Sequence, residues 1–199
     1  MASRKERTED LSKDMKIYVS DAHIFTSDAI VLADFCGPRH KDKCCDLGTG
    51  NGIIPMLWLR DFQPKEITGV ELSESAVALF NKTLEENGLT DKVNIVHCDL
   101  RNLKGVLPNE YYDLVSINPP YKKLGTGIVN EGEDYKNARH EFNCTLEDAA
   151  KAASSKGKEK TESKGNKTAK KKEKNIVVKQ KNTAFGQALA QAMAGGVKA

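Results

Sequence analysis

Asp46-Leu-Gly48-Thr49-Gly50-Asn51-Gly52 sets glycines at alternate positions directly after a short apolar run, with a carboxylate ahead of them. Glycine at such positions lets the backbone turn tightly and approach a ligand closely, and the helix that follows turns its amino end toward the same ligand. Glu71 closes the next apolar run about twenty residues on, where a carboxylate can accept two hydrogen bonds from a ribose diol. A second constellation is Asn118-Pro119-Pro120-Tyr121. Two prolines fix φ and remove two backbone donors, so this turn is rigid and presents acceptors. The Asn118 side-chain carbonyl and the Pro119 backbone carbonyl together can take both hydrogens of an amino group. The Tyr121 ring can stack on the plane that bears that group.

The surrounding pattern supplies a scaffold for these groups. Lys16 to Val19 reads as a short strand and Ser27 to Cys36 as a helix, with Thr26 or Ser27 as cap and Asp28 in the first turn. From Lys43 onward apolar runs and helical stretches alternate. Cys44 to Leu47 is a strand, Ile53 to Arg60 a helix, and Glu66 to Leu72 a strand. Ser75 to Asn87 is a helix with Val77, Phe80 and Leu84 on one face and Gly88 as its stop. Val93 to Cys98 and Tyr112 to Ile117 are strands, and Thr145 to Ser155 is a further helix capped by Thr145. Such alternation predicts an α/β fold of right-handed βαβ units: a mostly parallel sheet with helices on both faces. In an open sheet of this kind ligands sit at the carboxyl ends of the strands. Both constellations leave strands at that edge.

The chain has 199 residues, the length of one α/β domain, and 39% of them are apolar. No apolar run is long enough to cross a membrane. Residues 1–10 are polar and lack the apolar stretch of a secretory signal. Cys36, Cys44, Cys45, Cys98 and Cys144 form no C-x-x-C pair and no metal-ligand spacing, which predicts reduced thiols, no disulfide partner, no metal and a cytoplasmic setting. The net charge of +3 conceals an asymmetry. Residues 1–150 carry 18 Lys and Arg against 25 Asp and Glu, a balance of −7, and residues 151–199 carry 13 Lys against 3 Glu, a balance of +10. The expected organisation is a flexible lead-in over 1–14, a folded domain over 15–155 and a Lys-rich, disordered tail over 156–199. Within the tail, Asn175 to Val178 can form one strand, and Phe185, Leu189 and Met193 can line a short helix face. Its lysines suit salt-sensitive contact with phosphates.

The D-x-G-x-G-x-G spacing resembles the first motif of class I S-adenosylmethionine-dependent methyltransferases, which share a Rossmann-like fold. The Asn-Pro-Pro-Tyr turn resembles the motif of those members that methylate amino groups, on adenine, cytosine, guanine or a glutamine side chain. Further segments narrow the likeness: Phe25-x-Ser27-Asp28-Ala29-Ile30-Val-Leu-Ala33, Asp46 to Pro55, Ala138-Arg139-His140-Glu141, and Cys144-Thr-Leu-Glu-Asp148. Together they are similar to the bacterial tRNA adenine-N6 methyltransferases over about residues 15–153.

The resemblance implies S-adenosyl-L-methionine as cofactor. It implies that Asp46, Gly48, Thr49, Gly50, Asn51 and Gly52 lie beside the methionine part and that Glu71 and Leu72 lie at the ribose. It further implies that Asp99 and Leu100 lie at the adenine and that Asn118 borders both cofactor and target amine. Asn118, Pro119, Pro120 and Tyr121 then carry catalysis by positioning. Phe25, Tyr121, Lys122, Lys123, Arg139 and His140 are the expected substrate contacts. The implied substrate is the N6 amine of an adenine in a tRNA anticodon loop, flipped into the pocket from an already unpaired loop. After the Thr145 helix the family continues with a Pro-Gly-Gly turn and three more strands, which this chain replaces with its Lys-rich tail. The expectation is a sheet truncated after its fourth strand, with an uncovered edge there. Two other readings stand beside this one. The first is a glutamine methyltransferase acting on a release factor, which also uses Asn-Pro-Pro-Tyr. The second is a non-catalytic remnant that binds RNA or cofactor.

Overall fold

The computed structural model describes residues 5–118 and 146–157 and the strand Ile176–Val178. In chain order the elements are β1 (Glu6–Ser12), β2 (Met15–Ser20), α1 (Ser27–Cys36), β3 (Lys43–Leu47), α2 (Ile53–Asp61), β4 (Glu66–Glu71) and α3 (Glu74–Glu86). They continue with β5 (Val93–His97), one 3-10 turn (Leu100–Asn102), β6 (Leu114–Ile117), α4 (Leu146–Lys156) and β7 (Ile176–Val178). The main sheet is parallel throughout, in the order β5-β4-β3-β6-β7, and β1 and β2 form a separate antiparallel hairpin. The chain moves one way from β3 to β4 and β5, then crosses back to β6. The crevice between β3 and β6 is therefore the topological switch point, where ligands bind in sheets of this kind.

Alternation along the strands divides the core in two. Cys44, Ile67, Val93 and Leu114 face one way, toward α1, α2, α3 and β2, and pack with Leu32, Trp58, Phe80 and Ile17. Cys45, Leu47, Val70, Val115 and Ile117 face the other way, toward Leu103, Leu107, Tyr112 and the Ala149, Ala152, Ala153 face of α4. Helices thus cover both faces, as expected. In α2 every residue from Ile53 to Trp58 is buried, because the helix is wedged between the sheet and α1. Its Pro55 is tolerated in a first turn whose N–H groups have no helical partner. In α3 the buried face is Ala76, Leu79, Phe80, Thr83 and Leu84, with Val77 at its margin.

Three expectations change. Residues 1–14 are more than a lead-in: β1 pairs along β2 from Glu6↔Ser20 to Ser12↔Met15. It contributes only Leu11 to the core. An ion pair between Lys82 and Glu6 and a bond from Arg60 Nη1 to the Leu11 carbonyl, 2.8 Å, tie it down. A strand that is polar on both faces has no periodic apolar signal to read. The edge beside β6 is occupied rather than open, by β7 in the register Val115↔Ile176 to Ile117↔Val178. The tail also begins later than residue 156. Lys156 is only 1% exposed, and its ammonium donates to Leu103 O at 3.1 Å, Leu107 O at 2.9 Å and Asn109 Oδ1 at 2.7 Å. Its own carbonyl accepts from the N–H groups of Tyr111 and Tyr112. A lysine spends its chain length on three oxygens here, which composition cannot distinguish from a solvated charge. Lys156→Met is expected to lower stability by about 1–3 kcal/mol, because it takes a charged donor from Leu107 O and Asn109 Oδ1, while Leu103 O still accepts from the Val106 and Leu107 N–H groups. The shift of the urea midpoint reads this directly.

Candidate functional site

β3 delivers Asp46 to the switch point. Its side chain is 1% exposed and accepts from the Ser116 hydroxyl of β6, Oγ to Oδ1 2.6 Å. Burial pushes its carboxyl pKa up to about 7; the Ser116 and Thr49 hydroxyls oppose that rise and the nearby Glu71 adds to it. Among the described residues Asp46 Oδ2 and Thr49 Oγ1 are buried with no hydrogen-bond partner in good geometry beyond their weak approach to each other. Unpartnered buried polar atoms are rare in folded proteins, and these two lie together at the ligand edge.

The glycine loop follows. Gly48, Gly50 and Gly52 have φ of +70°, +60° and +88°, a region where residues with a Cβ are strained. A Cβ on Gly48 or Gly50 would meet nothing within 4 Å, whereas one on Gly52 would lie 2.2 Å from two Phe80 ring carbons. The first two glycines therefore serve the turn and the open space above it, and the third serves packing on α3. The loop N–H groups are already engaged. Gly48 and Thr49 both donate to the Val70 carbonyl, at 2.8 and 3.0 Å, and Gly50 donates to Glu71 Oε2 at 2.7 Å. These three amides are thus committed within the protein. A buried acidic atom beside such a loop repels a phosphate and suits a cationic group.

Glu71 ends β4, 2% exposed, and its Oε1 accepts from the N–H groups of Leu72, 2.9 Å, and Ser73, 2.8 Å. The carboxylate is held rigidly against the glycine loop. The Leu72 carbonyl lies 2.8 Å from His97 Nε2. Asp99 caps the turn after β5: its carboxylate accepts from the Arg101 N–H, 2.8 Å, and pairs with the Arg101 guanidinium, which holds its pKa below the usual carboxylate value. Leu100 starts that turn, partly buried against the second core. Asn118 leaves the carboxyl end of β6, one strand from Asp46.

The structure therefore brings Asp46, the glycine loop, Glu71, Leu72, Asp99, Leu100 and Asn118 to the carboxyl ends of four adjacent strands. Asn51 also ties the loop to the amino-terminal hairpin. Its side-chain amide donates to the Tyr18 carbonyl of β2 at 2.9 Å. Phe25 is partly buried against the first core. Pro119, Pro120, Tyr121, Lys122, Lys123, Arg139 and His140 lie outside the described residues. Sequence reasoning missed Ser116, whose signal was a hydroxyl among the apolar residues of β6. It also missed His23, Ser73 and Ser75, which no spacing marks. Among the described residues no group of His, Cys, Asp or Glu has the arrangement of a metal site, and no helix is long and apolar enough to cross a membrane.

A profile of the methyltransferase small domain family matches residues 19–158. The chain belongs to that family. This methyltransferase small domain has S-adenosylmethionine as its cofactor, and the unpartnered Asp46 oxygen and committed loop amides suit a ligand that carries an ammonium and no phosphate. The domain is 28% identical over 114 residues to a tRNA1(Val) (adenine(37)-N6)-methyltransferase of Pedobacter heparinus, covering 57% of this chain and 44% of that one. It is 30% identical over 114 residues to a release factor glutamine methyltransferase of Gloeobacter violaceus, covering 55% and 39%. The chain thus spans about half the length, or less, of these curated relatives. TrmN from Thermus thermophilus aligns with a TM-score of 0.42 at 23% identity, over 47% of this chain and 28% of that one.

Proposed function

We propose that this domain transfers a methyl group from S-adenosylmethionine to the exocyclic N6 amine of an adenine in a tRNA anticodon loop. The observation that carries the reading is the meeting of Asn118 with an acidic, phosphate-averse glycine loop at one sheet edge. When bound, the cofactor supplies an electrophilic methyl group. Asp46 holds its ammonium, Glu71 accepts its ribose hydroxyls and Asp99 accepts from its adenine amine. Asn118 and the Pro119 carbonyl accept the two hydrogens of the target amine and so aim its lone pair. Direct transfer to a neutral amine calls for little acid or base help, and positioning is the principal lever. Tyr121, Lys122, Arg139 and His140 are the proposed contacts to the flipped base and its phosphates. The choice of adenine is supported by the Phe25 to Ala33 and Ala138 to Glu141 segments and by the tRNA-modifying relative. The release factor relative favours the second reading, glutamine methylation. Labelled methyl transfer to unmodified bulk tRNA, followed by nucleoside chromatography, decides between them. Label in N6-methyladenosine supports the proposal. Label in N2-methylguanosine, or in the glutamine of added release factor, means a different amine was chosen.

Asp46 makes the cofactor step pH-dependent. Its pKa of about 7 lies above the unfolded value, so the ligand-free fold loses stability as pH rises from about 4 through 7. An ammonium beside it reverses the preference and favours the carboxylate. Binding then releases a proton, and affinity is expected to rise toward about tenfold per pH unit between pH 5 and 7. Above that range the ligand's own α-amine, near 8, begins to titrate. Calorimetric titration at several pH values reads the slope. A flat profile, or one that Asp46→Asn leaves unchanged, removes Asp46 from the ammonium contact.

A further inference from the structure

The turn between β2 and α1 carries His23, whose place is fixed by paired backbone bonds with Ser20, 3.0 and 3.2 Å. Its Nε2 lies 2.7 Å from Ser75 Oγ, and Ser75 Oγ lies 3.1 Å from Ser73 Oγ. Ser73 is the residue whose N–H holds Glu71 Oε1. It is also the N-cap of α3, yet its hydroxyl makes no capping bond. A serine there ordinarily satisfies a free helix N–H, a contribution of about 1 kcal/mol. Here the hydroxyl is diverted into a chain that starts at His23. The amino-terminal hairpin is thereby tied to the loop that aims the Glu71 carboxylate, and the Asn51 bond to Tyr18 ties it to the glycine loop as well.

We infer that His23 is a positioning residue for the cofactor ribose, acting through Ser75 and Ser73 on the Glu71 carboxylate. The inference rests on the assignment of Glu71 to the ribose. It also gives the polar hairpin a use: the hairpin holds the imidazole in register with β4. Removing the ring leaves Ser73 and Ser75 free to rotate and lets the Ser73 amide drift from Glu71.

The test uses the full chain and two ligands, S-adenosylhomocysteine and its 2′,3′-dideoxy analogue, titrated calorimetrically. His23→Ala is expected to weaken S-adenosylhomocysteine about tenfold and the dideoxy analogue less than about twofold, because the analogue lacks both hydroxyls through which His23 acts. Ser75→Ala is expected to give the same loss, the double variant no further loss, and His23→Gln, whose amide can donate or accept in the place of the ring nitrogen, a recovery to within about threefold. Equal losses on both ligands, additive losses in the double variant, or no loss overturn the role of His23 while wild-type binding keeps the cofactor assignment. If the folded wild-type chain binds neither ligand, the assignment of Glu71 fails and this inference fails with it.

Discussion

Asn118→Ala is expected to lower methyl transfer by about two orders of magnitude or more while S-adenosylmethionine affinity stays within a few-fold. The asymmetry comes from where the residue stands. β6 is buried at all four positions and paired on both sides, with β3 and with β7. Asn118 is therefore presented from a rigid base, and the change leaves the Asp46, Glu71 and glycine-loop contacts untouched. In the proposed role, what is lost is an acceptor for one amine hydrogen, and with it the alignment of the lone pair. Misalignment of a reacting atom by about 1 Å can cost a factor of 100. Single-turnover transfer at saturating cofactor, with affinity measured separately, reads the two effects apart. Turnover within tenfold of wild type would show that the amine is held elsewhere.

Gly52→Ala should do the reverse and damage the fold itself, by about 3 kcal/mol or more. The new Cβ would sit 2.2 Å from the Phe80 ring, which is fully buried between α2, α3 and the sheet, and φ is +88°. The ring cannot retreat without opening the first core. Gly50→Ala provides the contrast. Its Cβ enters open space, so only the left-handed backbone is strained, at roughly 1–2 kcal/mol. That protein is expected to melt cooperatively near wild type and to bind the cofactor poorly, because the methyl group occupies the space over the loop. Paired thermal melts and titrations of the two variants test the division of labour. Equal stability losses at Gly50 and Gly52 would refute it.

Much of the parallel sheet and its crossover helices was legible because Cys44 to Leu47 and Val93 to His97 are short apolar runs that alternate with helical stretches such as the periodic face of α3. Helix ends were legible too: Ser27–Cys36 was bounded by residue type alone, and Gly88 has the φ of +63° that its stop requires. Thr26 stands at the N-cap of that helix without forming a side-chain cap. The placement of Asp46, Glu71 and Asn118 at one sheet edge followed from the strands they end. Illegible were the features made by bonding rather than by burial of apolar faces. β1 is held by its ladder, Lys156 by three oxygens, and Asn51 by a carbonyl more than thirty positions away. Ser116, Ser73 and His23 act on residues that sequence reasoning did find, but hydroxyls and a lone imidazole have no spacing rule. Asp99 is a middle case: its turn-capping geometry with Arg101 is what any Asp before a turn would adopt.

The pairing of β7 with β6 bears on the order in which the chain organises itself. Cys44 and Ile67 meet across 23 positions and Ile67 and Val93 across 26, but Val115 and Ile176 meet across 61 and Cys44 and Leu114 across 70. Closing the longer loops costs more entropy, though only logarithmically more, and the three ladder residues of β7 give little in return. Non-local pairings of this kind set folding rates. The half of the sheet carrying the glycine loop and Glu71 can therefore assemble early from near neighbours, with β6 and then β7 added onto a template already built. During synthesis that delay is lengthened, because Ile176 leaves the ribosome long after the cofactor edge has emerged, at about 5–20 residues per second.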